Sequence, residues 1–198
     1  MADRPAQAQD KPFRLVALGD SLTAGYELPA RAAFPNVLER ALKAQGFNVS
    51  VENAGVSGDT ATGGKDRLDW SVPDGTDLVI VELGANDMLR GIDPAITEAA
   101  LDDILQRLKQ RGIGVVLAGM LSVPNNGPDY VKTFNAIYPR LAQKHDVPLY
   151  PFFMDGVTGN AKLMLADQLH PSAAGVEELV TRILPVVMQA MKKLPRKP

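Results

Sequence analysis

The chain has 198 residues, a formal net charge of −2 and no cysteine. That length suits one domain with a full core. The missing thiols exclude disulfides, cysteine nucleophiles and Cys-ligated metals, and 45% hydrophobic against 22% charged residues with no basic stripe leaves no footprint for nucleic acid.

Residues 1–11 are polar and read as a disordered tail or a signal-peptide remnant. Ala6-Gln7-Ala8 has the small-x-small form of a secretory cleavage site, but no apolar run precedes it. Residues 12–198 read as a single domain without repeats or linkers. Phe13-Arg14-Leu15-Val16-Ala17-Leu18, closed by Gly19, predicts a buried strand. Phe34, Val37, Leu38, Ala41 and Leu42 fall at helical spacing, with Gly46 as the stop. Val49 and Val51 alternate with polar residues in a strand ending near Asn53, and Leu78 to Leu83 form the cleanest strand, closed by Gly84. Asp93-Pro94 starts a helix carrying Ile96, Ala100, Ile104 and Leu108 and ending at Gly112. Val115 to Ala118 make a fourth strand. Tyr130, Phe134, Ile137, Tyr138 and Leu141 mark a helix bent near Pro139. A fifth strand lies within Val147 to Phe153, and a last helix runs from about Ser172 to Lys193 through Pro185. No apolar stretch approaches the roughly 20 residues that span a bilayer.

This alternation predicts an α/β fold, with a doubly wound, five-stranded parallel sheet and helices on both faces. In the flavodoxin-like order 2-1-3-4-5, direction reverses between strands one and three, and ligands bind outside the carboxyl ends at such a switch point. The loops after those two strands hold Ser21 and Asn86.

Ser21 sits just past the first strand, where a hydroxyl beside helix-opening N–H groups suits a nucleophile with an oxyanion site next to it. It also suits a plain turn or N-cap residue. Serine needs a base, and the chain has two histidines, too few for a His-rich zinc site. His170 stands in Asp167-Gln168-Leu169-His170-Pro171, where Asp167 can fold back and accept from Nδ1–H. The same pair also fits a cap for the helix beginning near Ser172. His145 follows Lys144 at a predicted helix end and fits an interaction with the helix dipole. Asn86, in Gly84-Ala85-Asn86-Asp87, can donate to an oxyanion or close an Asx turn. Gly58 can bring a backbone N–H close to a ligand or make a tight turn. Asp20 and Asp87 are read as bonding nearby backbone N–H groups to fix their loops. Together these loops supply a nucleophile, a base, an orienting carboxylate and oxyanion donors, the set needed for acyl transfer.

The sequence resembles the SGNH (GDSL) hydrolases, in the branch of bacterial arylesterases, thioesterases and lysophospholipases. Four ordered blocks carry the resemblance: Gly19-Asp20-Ser21-Leu22, Gly58-Asp59-Thr60, Gly84-Ala85-Asn86-Asp87 and Asp167-Gln168-Leu169-His170-Pro171. The resemblance implies a three-layer α/β/α fold and a Ser21–His170–Asp167 triad. It also implies an oxyanion hole of the Ser21 and Gly58 N–H groups with the Asn86 side chain, and no cofactor or metal. It implies a small-molecule ester as substrate and favours a periplasmic or secreted location over a cytoplasmic one. Ala85 replaces a frequent glycine, and Gln168-Leu169 replaces a commoner Gly-Ile. The absence of Gly-x-Ser-x-Gly argues against the larger α/β-hydrolase fold. Met120 to Val123 and Phe152-Phe153 are expected to contribute to the substrate pockets.

Three other readings compete. A carbohydrate O-deacetylase would use the same triad. A nucleotide-binding module would use Gly58 to Lys65, but its spacing misses a P-loop by one and Asp66 stands where Ser or Thr should be. A catalytically silent binding protein would have no need of the triad residues. The chain is compatible with a homo-oligomer.

Overall fold

The computed structural model describes residues 11–194; Ala6-Gln7-Ala8 lies outside them. The elements in chain order are β1 (Phe13–Gly19), α1 (Ser21–Ala24), α2 (Phe34–Ala44), β2 (Val49–Gly55), α3 (Ala61–Asp66), α4 (Leu68–Ser71) and β3 (Leu78–Glu82). Then come α5 (Ala85–Leu89), α6 (Pro94–Gln110), β4 (Gly114–Ala118), α7 (Pro128–Asn135), α8 (Ile137–His145), β5 (Leu149–Tyr150) and α9 (Ala173–Lys193).

The strands form one parallel sheet in the order β2-β1-β3-β4-β5. Helices α2 and α9 pack together on one face, while α3, α6 and α8 cover the other. A strand covered on both faces reads as a near-continuous apolar run, as Leu78 to Val81 do before Glu82 closes the strand. Every residue of β3, Leu78 to Glu82, is accordingly buried, and each fully buried aliphatic side chain contributes about 1.5–3 kcal/mol. The register then sets the site. Gly19 pairs with Gly55 and with Glu82, and Glu82 pairs with Ala118. The strand ends are level, so the segments after β1, β2, β3 and β4 leave from one edge.

Four sequence expectations need correction. The fifth strand fills only Leu149–Tyr150 of the Val147 to Phe153 span expected to hold it, because Pro148 and Pro151 flank it and cannot donate to a ladder. The bent helix is two helices, α7 and α8, parted at Ala136. Pro139 falls in the first turn of α8, where its missing N–H costs nothing, and its ring would clash with the carbonyl of Asn135 in a continuous helix. On α6, Ile96 is 53% exposed and Thr97 is buried. Thr97 Oγ1 donates to Asp87 Oδ1 at 3.0 Å, so a hydrogen bond takes the inward position that hydropathy gave to Ile96. The segments around Ser21, Thr60 and Asn86, read as loops or turns, contain the short helices α1, α3 and α5.

Gly84 leads the chain from β3 into α5 at φ +116. An added Cβ there would lie 2.1 Å from Tyr138 Oη, and that hydroxyl donates to Leu83 O at 2.8 Å. Gly84→Ala is expected to lower stability by roughly 2–5 kcal/mol through backbone strain and overpacking. Urea unfolding checks this, and a loss under about 1 kcal/mol would contradict it.

Candidate active site

Ser21 opens α1, two residues past the end of β1. Asp20 caps that helix, its Oδ1 accepting from Leu22 N at 2.9 Å. The Ser21 side chain therefore leaves a rigid turn rather than a loose loop. Across 149 residues of sequence, Ser21 Oγ lies 2.8 Å from His170 Nε2. His170 Nδ1 lies 2.6 Å from Asp167 Oδ2. A carboxylate only accepts, so Nδ1 carries the ring hydrogen and Nε2 is left to accept from the serine hydroxyl. The capping alternative for Asp167 and His170 falls away, since Ser172 itself caps α9 with Oγ accepting from Gly175 N.

The Asp167–His170 turn is tied at every corner. Asp167 Oδ1 accepts from Leu169 N at 2.9 Å and His170 N at 3.1 Å. Leu165 N donates to His170 O, and Ser172 N to Leu163 O, each at 2.8 Å. Gln168 sits at φ +57, a left-handed conformation that costs a non-glycine residue about 1–2 kcal/mol. A glycine at this position would relieve that strain. Tyr26 lies against the imidazole, with ring centroids 4.3 Å apart; nothing in the sequence pattern pointed to it.

Asn86 stands in the first turn of α5, after β3. Its Nδ2 donates to Asp59 O at 2.9 Å and to Asp20 Oδ2 at 3.1 Å. Gly58 takes φ +84, and Arg90 Nη2 donates to its carbonyl at 2.7 Å. The N–H groups of Ser21 and Gly58 have no acceptor among the described residues. Arg67, buried behind these loops, donates from Nε to Asp59 Oδ2 at 2.6 Å, from Nη1 to Ala54 O at 2.8 Å and from Nη2 to Gly19 O at 2.9 Å. Sequence reasoning passed over Arg67 and Arg90, because a lone arginine in a polar segment reads as a surface charge.

Asp20 and Asp87 do fix loops as expected. Asp87 Oδ2 accepts from Ala61 N at 2.9 Å. His145 is the last residue of α8, at the helix end where it was expected, and its Nε2 lies 2.6 Å from Asp102 Oδ1. The expected pocket residues divide. Phe153 is fully buried edge-on against Phe34 and belongs to the core. Met120 is also buried, whereas Leu121 and Val123 are exposed. Gly58 to Lys65 leads into α3, capped by Thr60, with the Asp59 carboxylate directly over Gly63. A fixed anion there opposes a phosphate, which disfavours the nucleotide-binding reading.

A doubly wound α/β/α sheet whose carboxyl edge aligns hydroxyl, imidazole and carboxylate defines the class of three-layer serine hydrolases. A family model for the GDSL-like lipase/acylhydrolase family matches residues 17–177. The chain belongs to that family. It is 41% identical over 167 residues to an arylesterase of Vibrio mimicus, covering 84% of this chain and 82% of the relative. It is 42% identical over 159 residues to thioesterase 1/protease 1/lysophospholipase L1 of Escherichia coli K12, covering 80% and 75%. Among solved structures, TesA superposes with a TM-score of 0.85 at 34% identity, covering 89% of this chain and 99% of that one. AlinE4, an SGNH-hydrolase family esterase, gives 0.77 at 43% identity, covering 91% and 97%.

The carboxylates around the site fall into two environments. Burial works against ionisation of Asp167, but the hydrogen bonds from His170 and from the Leu169 and His170 N–H groups outweigh it and hold the group at about 2. Asp167 is therefore ionised at any working pH. Beneath the site, burial pushes Asp20 up to about 7. Burial raises Glu82 well above its ordinary 4.5, and the neighbouring Asp20 adds to the shift. Glu82 Oε2 accepts from Thr23 Oγ1 at 2.7 Å, while its buried Oε1 has no hydrogen-bond partner among the described residues. A neutral acid tolerates that setting better than an anion. Because the folded form holds its proton more tightly, stability from Glu82 is full below its ordinary range and is lost as pH rises. Glu82→Gln, which mimics the neutral acid, is expected to gain in melting temperature relative to the parent between about pH 5 and pH 8. A difference that stays constant with pH would contradict a raised Glu82.

Proposed function

We propose that the chain hydrolyses carboxylic esters through an acyl-enzyme on Ser21, with His170 and Asp167 completing the triad. One observation carries this reading: the continuous hydrogen-bonded line from Ser21 Oγ to His170 Nε2 at 2.8 Å and from His170 Nδ1 to Asp167 Oδ2 at 2.6 Å. The family match and the esterase relatives support it.

Ser21 Oγ attacks the acyl carbonyl while His170 Nε2 takes its proton. Asp167, ionised throughout, keeps the ring in the tautomer that can accept and stabilises the imidazolium that forms. The tetrahedral oxyanion is held by Ser21 N–H, Gly58 N–H and the Asn86 amide. Collapse breaks the bond to the leaving alcohol or thiol, and His170 returns the proton to it. Water, deprotonated by the same imidazole, then attacks the acyl-enzyme and frees the acid and Ser21.

The substrate is a small ester of the aryl or short-chain acyl kind, with thioesters and lysophospholipids in reach of the same chemistry. Exposed Tyr26, Leu121, Val123 and Leu169 offer apolar surface on the segments around the site. Residues 12–198 act as one hydrolase domain. Reading Ala6-Gln7-Ala8 as a cleavage site assigns the enzyme to the periplasm or the medium.

A serine-directed phosphonate is expected to add once, on Ser21, by mass spectrometry; an adduct elsewhere or none would overturn the assignment. On an activated aryl ester, Ser21→Ala is expected to lower kcat by about 10⁴-fold or more. Turnover within tenfold of the parent would remove Ser21 as nucleophile. Asp167→Asn is expected to lower kcat by roughly 10²–10⁴-fold, because the amide no longer selects the tautomer. Unchanged turnover would show that the carboxylate is dispensable.

A further inference from the structure

Asp20 is fully buried beside the nucleophile, and no lysine or arginine pairs with it among the described residues. It instead stands between two donors. Oδ1 accepts from Leu22 N at 2.9 Å, and Oδ2 accepts from Asn86 Nδ2 at 3.1 Å. The Asn86 amide has two hydrogens, and its second acceptor is Asp59 O at 2.9 Å. Asp59 O belongs to a held segment: Arg67 binds the Asp59 side chain and Arg90 the Gly58 carbonyl. Both amide hydrogens are therefore engaged before any substrate arrives, one by fixed backbone and one by the residue next to the nucleophile.

We propose that Asp20 is a positioning residue for the Asn86 amide, acting as a placeholder acceptor for the hydrogen that the oxyanion takes over. This rests on the reading of Asn86 as an oxyanion donor. The hydrogen aimed at Asp20 points toward the chain segment that carries Ser21. Its bond is the longer of the two, so it is the one to yield when a negative oxygen develops nearby. The arrangement requires two acceptors in one short side chain. An aspartate supplies them, whereas an asparagine offers one acceptor and one donor and must turn its amide against either Leu22 N–H or Asn86 Nδ2.

The test is a double-mutant cycle on an activated aryl ester, using Asp20→Asn, Asn86→Ala and the double variant. Asp20→Ser serves beside them, because serine keeps a cap for Leu22 N but is too short to engage Asn86. Asn86→Ala is expected to lower kcat by roughly 10²–10³-fold. Asp20→Asn and Asp20→Ser are each expected to lower kcat by about 10–10²-fold with KM within about threefold, since the lost interaction serves the transition state. In the Asn86→Ala background either Asp20 substitution is expected to change kcat by less than about twofold. An equal loss in both backgrounds would overturn the proposal, because Asp20 would then act through the turn or the imidazole. An unaffected Asn86→Ala variant would instead overturn the donor reading beneath it. Melting curves verify that each variant is folded, and if Asp20→Asn does not fold, Asp20→Ser carries the cycle alone.

Discussion

The Arg67 guanidinium sits behind the site and directs its nitrogens at four acceptors: the Asp59 carboxylate, the Ala54 and Gly19 carbonyls and Ser71 Oγ. Gly19 ends β1, Ala54 lies at the end of β2, and Asp59 begins the approach to α3. One planar cation thus ties the ends of β1 and β2 to the segment that carries Gly58. The pair is largely withdrawn from water, with side-chain exposures of 10% for Arg67 and 16% for Asp59. Breaking such a buried pair by removing one partner costs about 3–5 kcal/mol. The placement of Asp59 and Gly58 relative to Ser21 is held by this clamp, together with the bond from Val56 N to Gly19 O at 3.0 Å.

The clamp passes its rigidity forward. Asp59 O, fixed through its own side chain, receives one hydrogen of the Asn86 amide, and Asp20 receives the other. Asp87, next in the chain, accepts from Ala61 N and Thr97 Oγ1. The segments after β1, β2 and β3 are therefore joined by side-chain hydrogen bonds rather than by contacts along the sheet. The arrangement is preorganised, so little reorganisation is needed when charge develops.

Two kinds of carboxyl group share this small region. Asp167 stays charged because hydrogen bonds from His170 and two N–H groups outweigh its partial burial. Asp20 and Glu82 are pushed the other way by burial, with Asp87 adding to the shift of Asp20 and Asp20 to that of Glu82. Environment, rather than residue type, keeps one acid charged beside the imidazole and favours the neutral form of the others.

Much of this was legible in the sequence. The apolar run Leu78 to Val81, the cap at Asp93-Pro94 and the glycines closing strands gave the β-α alternation, and alternation constrains sheet order through right-handed crossovers. Gly-Asp-Ser and Asp-x-x-His were legible because each is a local turn with its own backbone hydrogen bonds. The inward turn of Thr97 in place of Ile96 was hidden, since it depends on Asp87 ten residues away. The shortness of β5 depended on two prolines whose effect competes with the apolar residues around them.

By itself, then, the chain determined what is set by near neighbours: which segments become strands or helices, where they stop, and which residue types stand at the ends of strands. The folded arrangement alone decided which of those residues meet. Ser21 and His170 are 149 positions apart, and Arg67, Asn86, Asp20 and Tyr26 acquire their partners from other loops. Periodicity reports how a residue faces its own element. Hydrogen bonds and stacking between elements depend on distances that exist only once the sheet has brought its strand ends level.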